Sequence, residues 1–234
     1  MVKYYDPDLV IQKLKDGKTV IYPELKHGIA RMGAAIIPQL IDLLKYPGGR
    51  ARAVQALGLI GSEARSVLPQ LILLLDDRDA QMRAMVAFAL GEIGEASLMI
   101  PHLTPLLDDL NAEVFDSTVF ALGKMGAGAE AIPHLILRLT DLDELTRSQA
   151  AYGLRQMGRS AKSAISHLLP LLDDPSTEVQ KQAALAVGHI SPGDESIVPS
   201  LMPLLKHGNQ EVRSNAAYAM GDKLSSIPLA DRRP

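Results

Sequence analysis

The stretch ALGEIG at residues 89–94 decides the fold, because the chain repeats it at a fixed interval. Close copies read ALGLIG at 56–61 and ALGKMG at 121–126, and weaker copies read GLRQMG at 153–158, AVGHIS at 186–191 and AMGDKL at 219–224. Successive copies begin 32 or 33 residues apart. Repetition at this interval is typical of stacked supersecondary units, so we predict one structural unit per copy.

A second pattern runs in step with the first and supplies the other half of each unit. Pro69, Pro101 and Pro133 each begin an apolar run of helical character that ends at acidic residues. Proline is tolerated in the first turn of a helix, where its missing N–H leaves no hydrogen bond unmade. We therefore predict two helices per unit: an A helix, which carries the proline, and a B helix, which carries the ALGEIG-type stretch.

Single residues predict where these helices begin, end and touch. The second glycine of the stretch, such as Gly94, suits the residue just past a helix, because glycine tolerates positive φ. The first glycine, such as Gly91, lies inside the B helix and costs about 1 kcal/mol relative to alanine, so it predicts close approach of a neighbouring helix. Aspartates between the helices are expected to cap each following B helix. These are Asp77, Asp109, Asp141 and Asp174.

Composition excludes several kinds of chemistry. The 234 residues include no cysteine, which excludes disulfide scaffolds, Cys-ligated zinc, iron–sulfur clusters and thiol nucleophiles. A formal net charge of -3 argues against a nucleic-acid partner, because such proteins concentrate Lys and Arg. No apolar run approaches the roughly 20 residues of a membrane helix, and residues 1–10 have no signal-peptide pattern, so we expect no membrane partner and a cytoplasmic location.

The stretch MRAMVAFALGEIG at residues 82–94 resembles the HEAT-like repeat named after phycobilisome lyases. Arginines stand where that family has a recurrent arginine: Arg50, Arg83, Arg147 and Arg213. Phe115 and Gln180 replace it in two units, and Arg155 replaces the inner glycine in another. Less regular packing is expected in these units.

The repeats and the resemblance together predict an all-α fold. We expect an α-solenoid (an α/α superhelix) of about six HEAT-like helix pairs over residues 34–225, preceded by an N-terminal capping unit at residues 1–33, which holds Tyr4, Tyr5 and Tyr22. Residues 226–234 show no helical period, so a flexible tail is expected there. The whole chain, residues 1–234, is predicted to be a single solenoid domain.

Helix geometry predicts which side of the B helices faces away from the core. In the second unit Met82, Val86, Ala89, Leu90 and Ile93 cluster on one side at about 100° per residue. The residue five positions before Ile93 is Phe88, which lies about 140° from that side. Its equivalents in the six units are Gln55, Phe88, Phe120, Tyr152, Leu185 and Tyr218.

In the HEAT-like family this side resembles the concave surface, where partners usually bind. The predicted partner-binding residues are therefore Phe88, Phe120, Tyr152, Tyr218, Met85, Gln55, Leu185, Gln149, Lys124 and Glu92. Small polar or charged neighbours, among them Asp116, Ser117 and Lys181, and rim charges such as Arg52 and Glu113, accompany them. Aromatic rings with polar neighbours are typical of a protein-binding groove. The alternative is that the rings fill space between adjacent B helices.

No catalytic or metal site follows from the sequence. His102, His134 and His167 occupy equivalent A-helix positions, but packed helices lie about 8–10 Å apart, too far for three imidazoles to share an ion. Aspartate–arginine combinations, such as Asp77 with Arg83, are interpreted as caps and pairs between repeats. We therefore expect no metal and assign no catalytic residue.

The function predicted is a nonenzymatic module that binds another protein in the concave groove formed by the B helices, without a cofactor. The alternative, implied by the resemblance, is a phycobilin lyase subunit or phycobilisome-processing factor that handles a bilin or a bilin-bearing protein. A scaffold with an undefined partner, or one that associates with itself through its end units, is the third possibility.

Overall fold

The structure is a computed structural model that describes residues 6–15, 23–126, 128–192 and 194–221. Over these residues every regular element is helical, as the sequence predicts. Contacts divide the chain into two compact units, each of which contains several repeats. From here on, the first unit is Met1–Ala127, the second unit is Gly128–Pro234, and a single helix pair is called a repeat. Tyr4, Tyr5, Tyr22 and the predicted tail lie outside the described residues.

The first unit consists of helices joined by short turns and by 3-10 segments. Its α-helices are α1 (Pro7–Lys15), α2 (Pro23–Met32), α3 (Ile37–Leu44), α4 (Pro47–Ile60), α5 (Leu68–Ile72), α6 (Ala80–Ile93), α7 (Ala96–Leu103) and α8 (Ala112–Lys124). Its 3-10 segments are Gly33–Ile36, Gly61–Val67, Leu73–Asp76 and Thr104–Asp108. The B helices α4, α6 and α8 pack side by side in chain order, and α2 packs against α4.

The second unit repeats the same plan. Its α-helices are α9 (Gly128–Arg138), α10 (Glu144–Met157), α11 (Ile165–Leu168), α12 (Thr177–Ile190), α13 (Val198–Leu201) and α14 (Gln210–Met220). Its 3-10 segments are Gly158–Ala164, Leu169–Asp173, Glu195–Ile197 and Met202–Lys206. The B helices α10, α12 and α14 again pack in chain order. The chain is thus an all-α repeat protein of the solenoid class.

The A helices differ from the prediction at their prolines. Pro69 does lie in the first turn, of α5. Pro101 and Pro133 lie inside α7 and α9, because these helices begin several residues earlier, at Ala96 and Gly128. Most A helices also continue as 3-10 turns, so each is shorter as an α-helix than its B partner.

The predicted caps are displaced by two residues. Asp79, Asn111, Asp143 and Asn209 cap the B helices by accepting hydrogen bonds from first-turn N–H groups. Asp77 instead has an extended backbone, and its carboxylate accepts a hydrogen bond from the N–H of Asp79 at 2.9 Å. The prediction that Asp77 and its equivalents are caps is therefore wrong; these aspartates shape the turn that leads into the cap.

The predicted close approach at the inner glycines is confirmed. A Cβ added to Gly91 would lie 2.8 Å from the Cα and the Cβ of Ala121, on the next B helix. At Gly58 and Gly188 the equivalent distances to the Cα of the alanine on the next B helix are 3.3 and 2.5 Å. The missing side chain of each of these glycines therefore leaves room for the alanine of the next B helix.

The outer glycines follow the prediction at Gly61, where φ is +69°, but not at Gly94. Gly94 ends α6 with an extended backbone, φ -77° and ψ 160°. A Cβ there would lie 2.3 Å from Met99 and 2.7 Å from the carbonyl oxygen of Leu90. Gly94 is therefore required by space rather than by positive φ.

The recurrent arginines join consecutive repeats. Arg83 donates to both carboxylate oxygens of Asp109, at 2.7 and 3.0 Å, and to the carbonyl of Asp77 at 2.7 Å. Arg147 makes the same two-pronged bond to Asp174 at 2.8 and 2.9 Å. The expected pairing between repeats is confirmed, but the carboxylate that Arg83 binds is that of Asp109 in the next repeat and not that of Asp77.

The two replacements of this arginine are accommodated differently. Phe115 is completely buried in the first unit, where it fills the space with an apolar ring. Gln180 keeps one part of the arginine's bonding, because its Nε2 donates to the carbonyl of Asp174 at 2.8 Å. That bond spans six residues, as does the bond from Arg83 to Asp77.

One helical stretch in the described part of the chain, Pro47–Asp76, is long and apolar enough to cross a membrane by length and composition alone. The expectation that no segment approaches this length needs that correction. The stretch consists of α4, Gly61–Val67, α5 and Leu73–Asp76 in succession, and the backbone turns at Gly61. Leu57, Val67 and Leu71 are completely buried in the first unit. Only 28% of the most apolar window of this stretch is buried, so the repeat core accounts for part of its apolar character.

Candidate functional site

The predicted orientation of the B helices is confirmed in the second repeat. Met82, Val86, Ala89, Leu90 and Ile93 are all buried. On the opposite side the rings remain in contact with water: Phe88 is 45% exposed, Phe120 46% and Tyr218 60%. Gln55 is exposed, and Tyr152 and Leu185 are half-buried.

Phe88 and Phe120 are the centre of this face in the first unit. Their rings stack with centroids 5.0 Å apart and an angle of 12° between the ring planes. The close glycine–alanine contact between α6 and α8 brings the two rings within reach of each other. The rings therefore contact each other, as the space-filling interpretation expects, while each leaves nearly half its surface open; binding of a partner at this face stays a prediction.

An open cavity of about 640 Å³ lies beside this stack. It is lined by residues from α2, α4, α6 and α8: Lys26, Gln55, Gly58, Leu59, Ala84, Met85, Phe88, Ala89, Glu92, Glu113 and Ser117. The Nε2 of Gln55 reaches the sulfur of Met85 at 3.5 Å and closes part of its floor. A cavity of this size accepts a few side chains of a partner. We call the surface formed by these residues together with Asp116 and Phe120 the first-unit groove.

The structure shows which charges of the first-unit groove are already paired. Lys124 on α8 forms a salt bridge with Glu92 on α6. Because this pair links adjacent B helices, Lys124 and Glu92 hold the groove together as well as lining its edge. Both residues belong to the predicted partner-binding set.

Two carboxylates of α8, those of Glu113 and Asp116, take no part in this salt bridge. The side chains of Glu113 and Asp116 are exposed, and neither forms a salt bridge within the described residues. Asp116 lies beside apolar surface that excludes part of its hydration, and this desolvation raises the pKa of its carboxyl group. The α8 side of the groove therefore carries negative charge that the described part of the protein does not balance.

The equivalent face of the second unit is more polar. The guanidinium carbon of Arg155 lies 4.9 Å from the ring centroid of Tyr152, and the rings of His189 and Tyr218 are 5.3 Å apart. Lys181 bridges Glu178 on α12 and Glu211 on α14 at 2.6 and 2.5 Å. Gln149 and Leu185 lie half-buried on the same side. Lys181 thus links two adjacent B helices and offsets one of the two glutamate charges.

Among the described residues, no group of three His, Asp or Glu side chains could hold a metal ion. His102, His134 and His167 lie on the separate A helices α7, α9 and α11.

Lys26 is a groove residue that the sequence analysis missed. It lies on α2, two residues before the stretch GIARMG at residues 28–33, which is a degenerate copy of the repeated stretch within the predicted capping unit. The residue before each repeated stretch is the one that faces away from the core. Counting back from Gly28 leads to His27, directly next to Lys26, so the degenerate copy contained the signal.

Comparison with known proteins identifies the repeats. The sequence model for HEAT repeats matches residues 37–122, 68–155 and 165–228, more than half of the chain. The chain belongs to the HEAT-repeat family. No curated protein matches it.

Three solved structures are similar to this chain. A designed armadillo repeat protein in complex with the peptide (KR)4 is 26% identical, with a TM-score of 0.51 over 79% of this chain and 98% of that one. An engineered protein is 22% identical, with a TM-score of 0.51 over 96% of this HEAT-repeat chain and 69% of the other. The complex of CpcE and CpcF of phycocyanin lyase from Nostoc sp. PCC7120 is 20% identical with a TM-score of 0.46, over 92% and 93% of the two chains.

Proposed function

We propose that this HEAT-repeat protein is a nonenzymatic cytoplasmic module that binds a segment of a partner protein across its B helices. The first-unit groove is the main contact in this proposal. The observation that carries it is the stacked pair of Phe88 and Phe120, each nearly half exposed beside a cavity of about 640 Å³. Large apolar rings that remain accessible on a folded surface are typical anchors of protein interfaces.

The fold supports a protein partner in general. HEAT and armadillo repeats are typical of protein-binding scaffolds, and the designed armadillo relative was solved with a peptide bound. For this chain we propose that Met85 and Gln55 form the floor of the contact, with Glu92 and Lys124 at its edge. In the second unit, we propose that Tyr152, Tyr218, Leu185 and Gln149 form a partner-binding surface on that unit's own B helices.

The proposal is tested by removing the rings without disturbing the core. The variant Phe88→Ala/Phe120→Ala should lose its partner in affinity capture from the native cell, quantified by mass spectrometry against wild type. Leu98→Ala is a matched control, because Leu98 is a 57% exposed apolar side chain on the A helix α7. The control should retain the partner. Capture of the same proteins by wild type and the double variant would contradict the proposal.

The bilin alternative remains a separate prediction with its own test. If a bilin binds in the first-unit groove, titration of the pigment should give a saturable absorbance shift that Phe120→Ala abolishes. We expect no such shift. A shift sensitive to Phe120→Ala would replace the protein-partner proposal with one in which the groove receives the pigment.

A further inference from the structure

We propose that the segment bound in the first-unit groove is extended, with a lysine or arginine on Glu113 and Asp116 and, two residues away on the same face, a large apolar side chain against Phe88 and Phe120. This inference rests on the proposed function, because it describes the partner of the same groove. It is carried by charge complementarity on the first-unit groove, where Glu113 and Asp116 of α8 lie beside the exposed rings of Phe88 and Phe120.

The acidic side belongs to one helix and follows its geometry. Glu113, Asp116 and Phe120 are separated by three and then four residues on α8, so their side chains project from the same side at successive turns. Successive turns are about 5.4 Å apart. Alternate side chains of an extended peptide are spaced by about 6.6 Å, so a basic and an apolar group two residues apart match this ladder.

The neighbouring positive charges do not neutralise Glu113 and Asp116. Lys124, on the same helix, bonds to Glu92. Arg52 donates to the carbonyl of Gly48 on its own helix, α4. Lys26 on α2 lines the same cavity as Glu113, but no salt bridge joins these two side chains in the described part of the chain. The groove thus runs from a positive side at α2 to a negative side at α8, which gives a bound segment a direction.

The environment of Asp116 favours a positively charged side chain of the partner beside it. Partial desolvation by the protein makes its charged form less favourable than in water. A cation bound beside it would reverse that effect by direct attraction. A lysine or arginine placed there could also lie against the exposed face of Phe120, where a positive charge is attracted by the ring.

The experiment uses three fluorescein-labelled peptides and fluorescence anisotropy at low ionic strength, with the full chain. The probe carries Lys-Ser-Leu-Ser-Lys-Ser-Leu between Gly-Ser spacers, so that lysine and leucine alternate on one face of an extended chain. In the second peptide Glu replaces Lys, and in the third Ser replaces Leu. The Lys-Leu probe should bind, and the Glu-Leu peptide should bind at least about tenfold more weakly. Asp116→Asn and Glu113→Gln should each weaken the Lys-Leu probe by about three- to tenfold.

A charge-matched control separates local contact from net charge. Glu95→Gln removes the same charge at the start of α7, away from the groove, and should leave the affinity unchanged. Three results would overturn the inference: no binding of the Lys-Leu probe, equal binding of the Glu-Leu peptide, or equal loss in Glu95→Gln and Asp116→Asn. If Phe120→Ala abolishes binding of all peptides while the charge variants change nothing, the groove binds protein but the basic specificity is wrong.

Discussion

Replacing Gly91 with alanine tests whether the spacing of the B helices depends on the inner glycine. In an open helix this substitution stabilises by about 1 kcal/mol, because alanine is the better helix former. At position 91 the new methyl would lie 2.8 Å from the Cα and the Cβ of Ala121, so α6 and α8 must separate. Overpacking of this kind costs about 1–3 kcal/mol, and separating the Phe88–Phe120 stack costs about 0.5–1.5 kcal/mol more.

The expected net result for Gly91→Ala is a destabilisation of about 0.5–3.5 kcal/mol, after subtracting the gain of about 1 kcal/mol in helix propensity. Urea unfolding followed by circular dichroism measures it. Gly48→Ala is the matched control, because Gly48 is also helical but has nothing within 4 Å of an added Cβ. The control should be as stable as wild type or more so. If Gly91→Ala is equally stable, the glycine does not set the helix spacing and the argument is refuted.

Further changes test two positions at the junctions between repeats and one exposed carboxylate. Arg147→Met should cost about 2–3 kcal/mol by leaving the largely buried Asp174 unpaired. Lys45→Met, which breaks an exposed pair, should leave the stability close to that of wild type in the same unfolding assay. Burial raises the pKa of Asp174, but hydrogen bonds from Arg147 and from a backbone N–H outweigh burial, so the pKa is lowered overall. The stability advantage of wild type over Arg147→Met should therefore disappear as the pH falls below about 4 and through that lowered pKa. A stability advantage that does not change with pH would contradict this. Phe115→Arg should lower the melting temperature, although arginine is the recurrent residue at this position, because the change buries a charge in place of a completely buried ring. An unchanged melting temperature would show that an arginine at position 115 can make the same bonds as Arg83 and Arg147. Asp116→Asn should slightly stabilise the fold at pH 7 and not at pH 3, since the raised pKa of Asp116 marks a destabilised carboxylate; a loss of stability at pH 7 would exclude that interpretation.

The part of the fold that follows from periodicity could be predicted from the sequence. A repeat of 32 or 33 residues gives the helix pairs, and the 100° step of a helix places Phe88 opposite Ile93. These relations involve only residues of one helix or one repeat. The exposure of Phe88 and the burial of Ile93 confirm them.

The errors arose where two local arrangements compete for the same residue type. An aspartate after a helix can cap the next helix or form a turn that leads to the cap, and Asp77 does the second. Gly94 similarly could have adopted positive φ, but contact with Met99 decides its role. The stacking of Phe88 on Phe120 depends on the distance between two helices, which the sequence of either helix alone does not contain.

The arginine bonds have a consequence for how the chain can change in length. Arg83 binds the loop of its own repeat and the aspartate of the next, and Arg147 does the same with equal geometry. In both cases the arginine of one repeat binds the aspartate of the following repeat, so the two junctions are equivalent. A duplication or deletion of one complete repeat would bring an equivalent arginine and aspartate together again. Phe115 and Gln180 break this equivalence at two other junctions, so a repeat can be added or removed with unchanged bonding only where the arginine–aspartate pair is present.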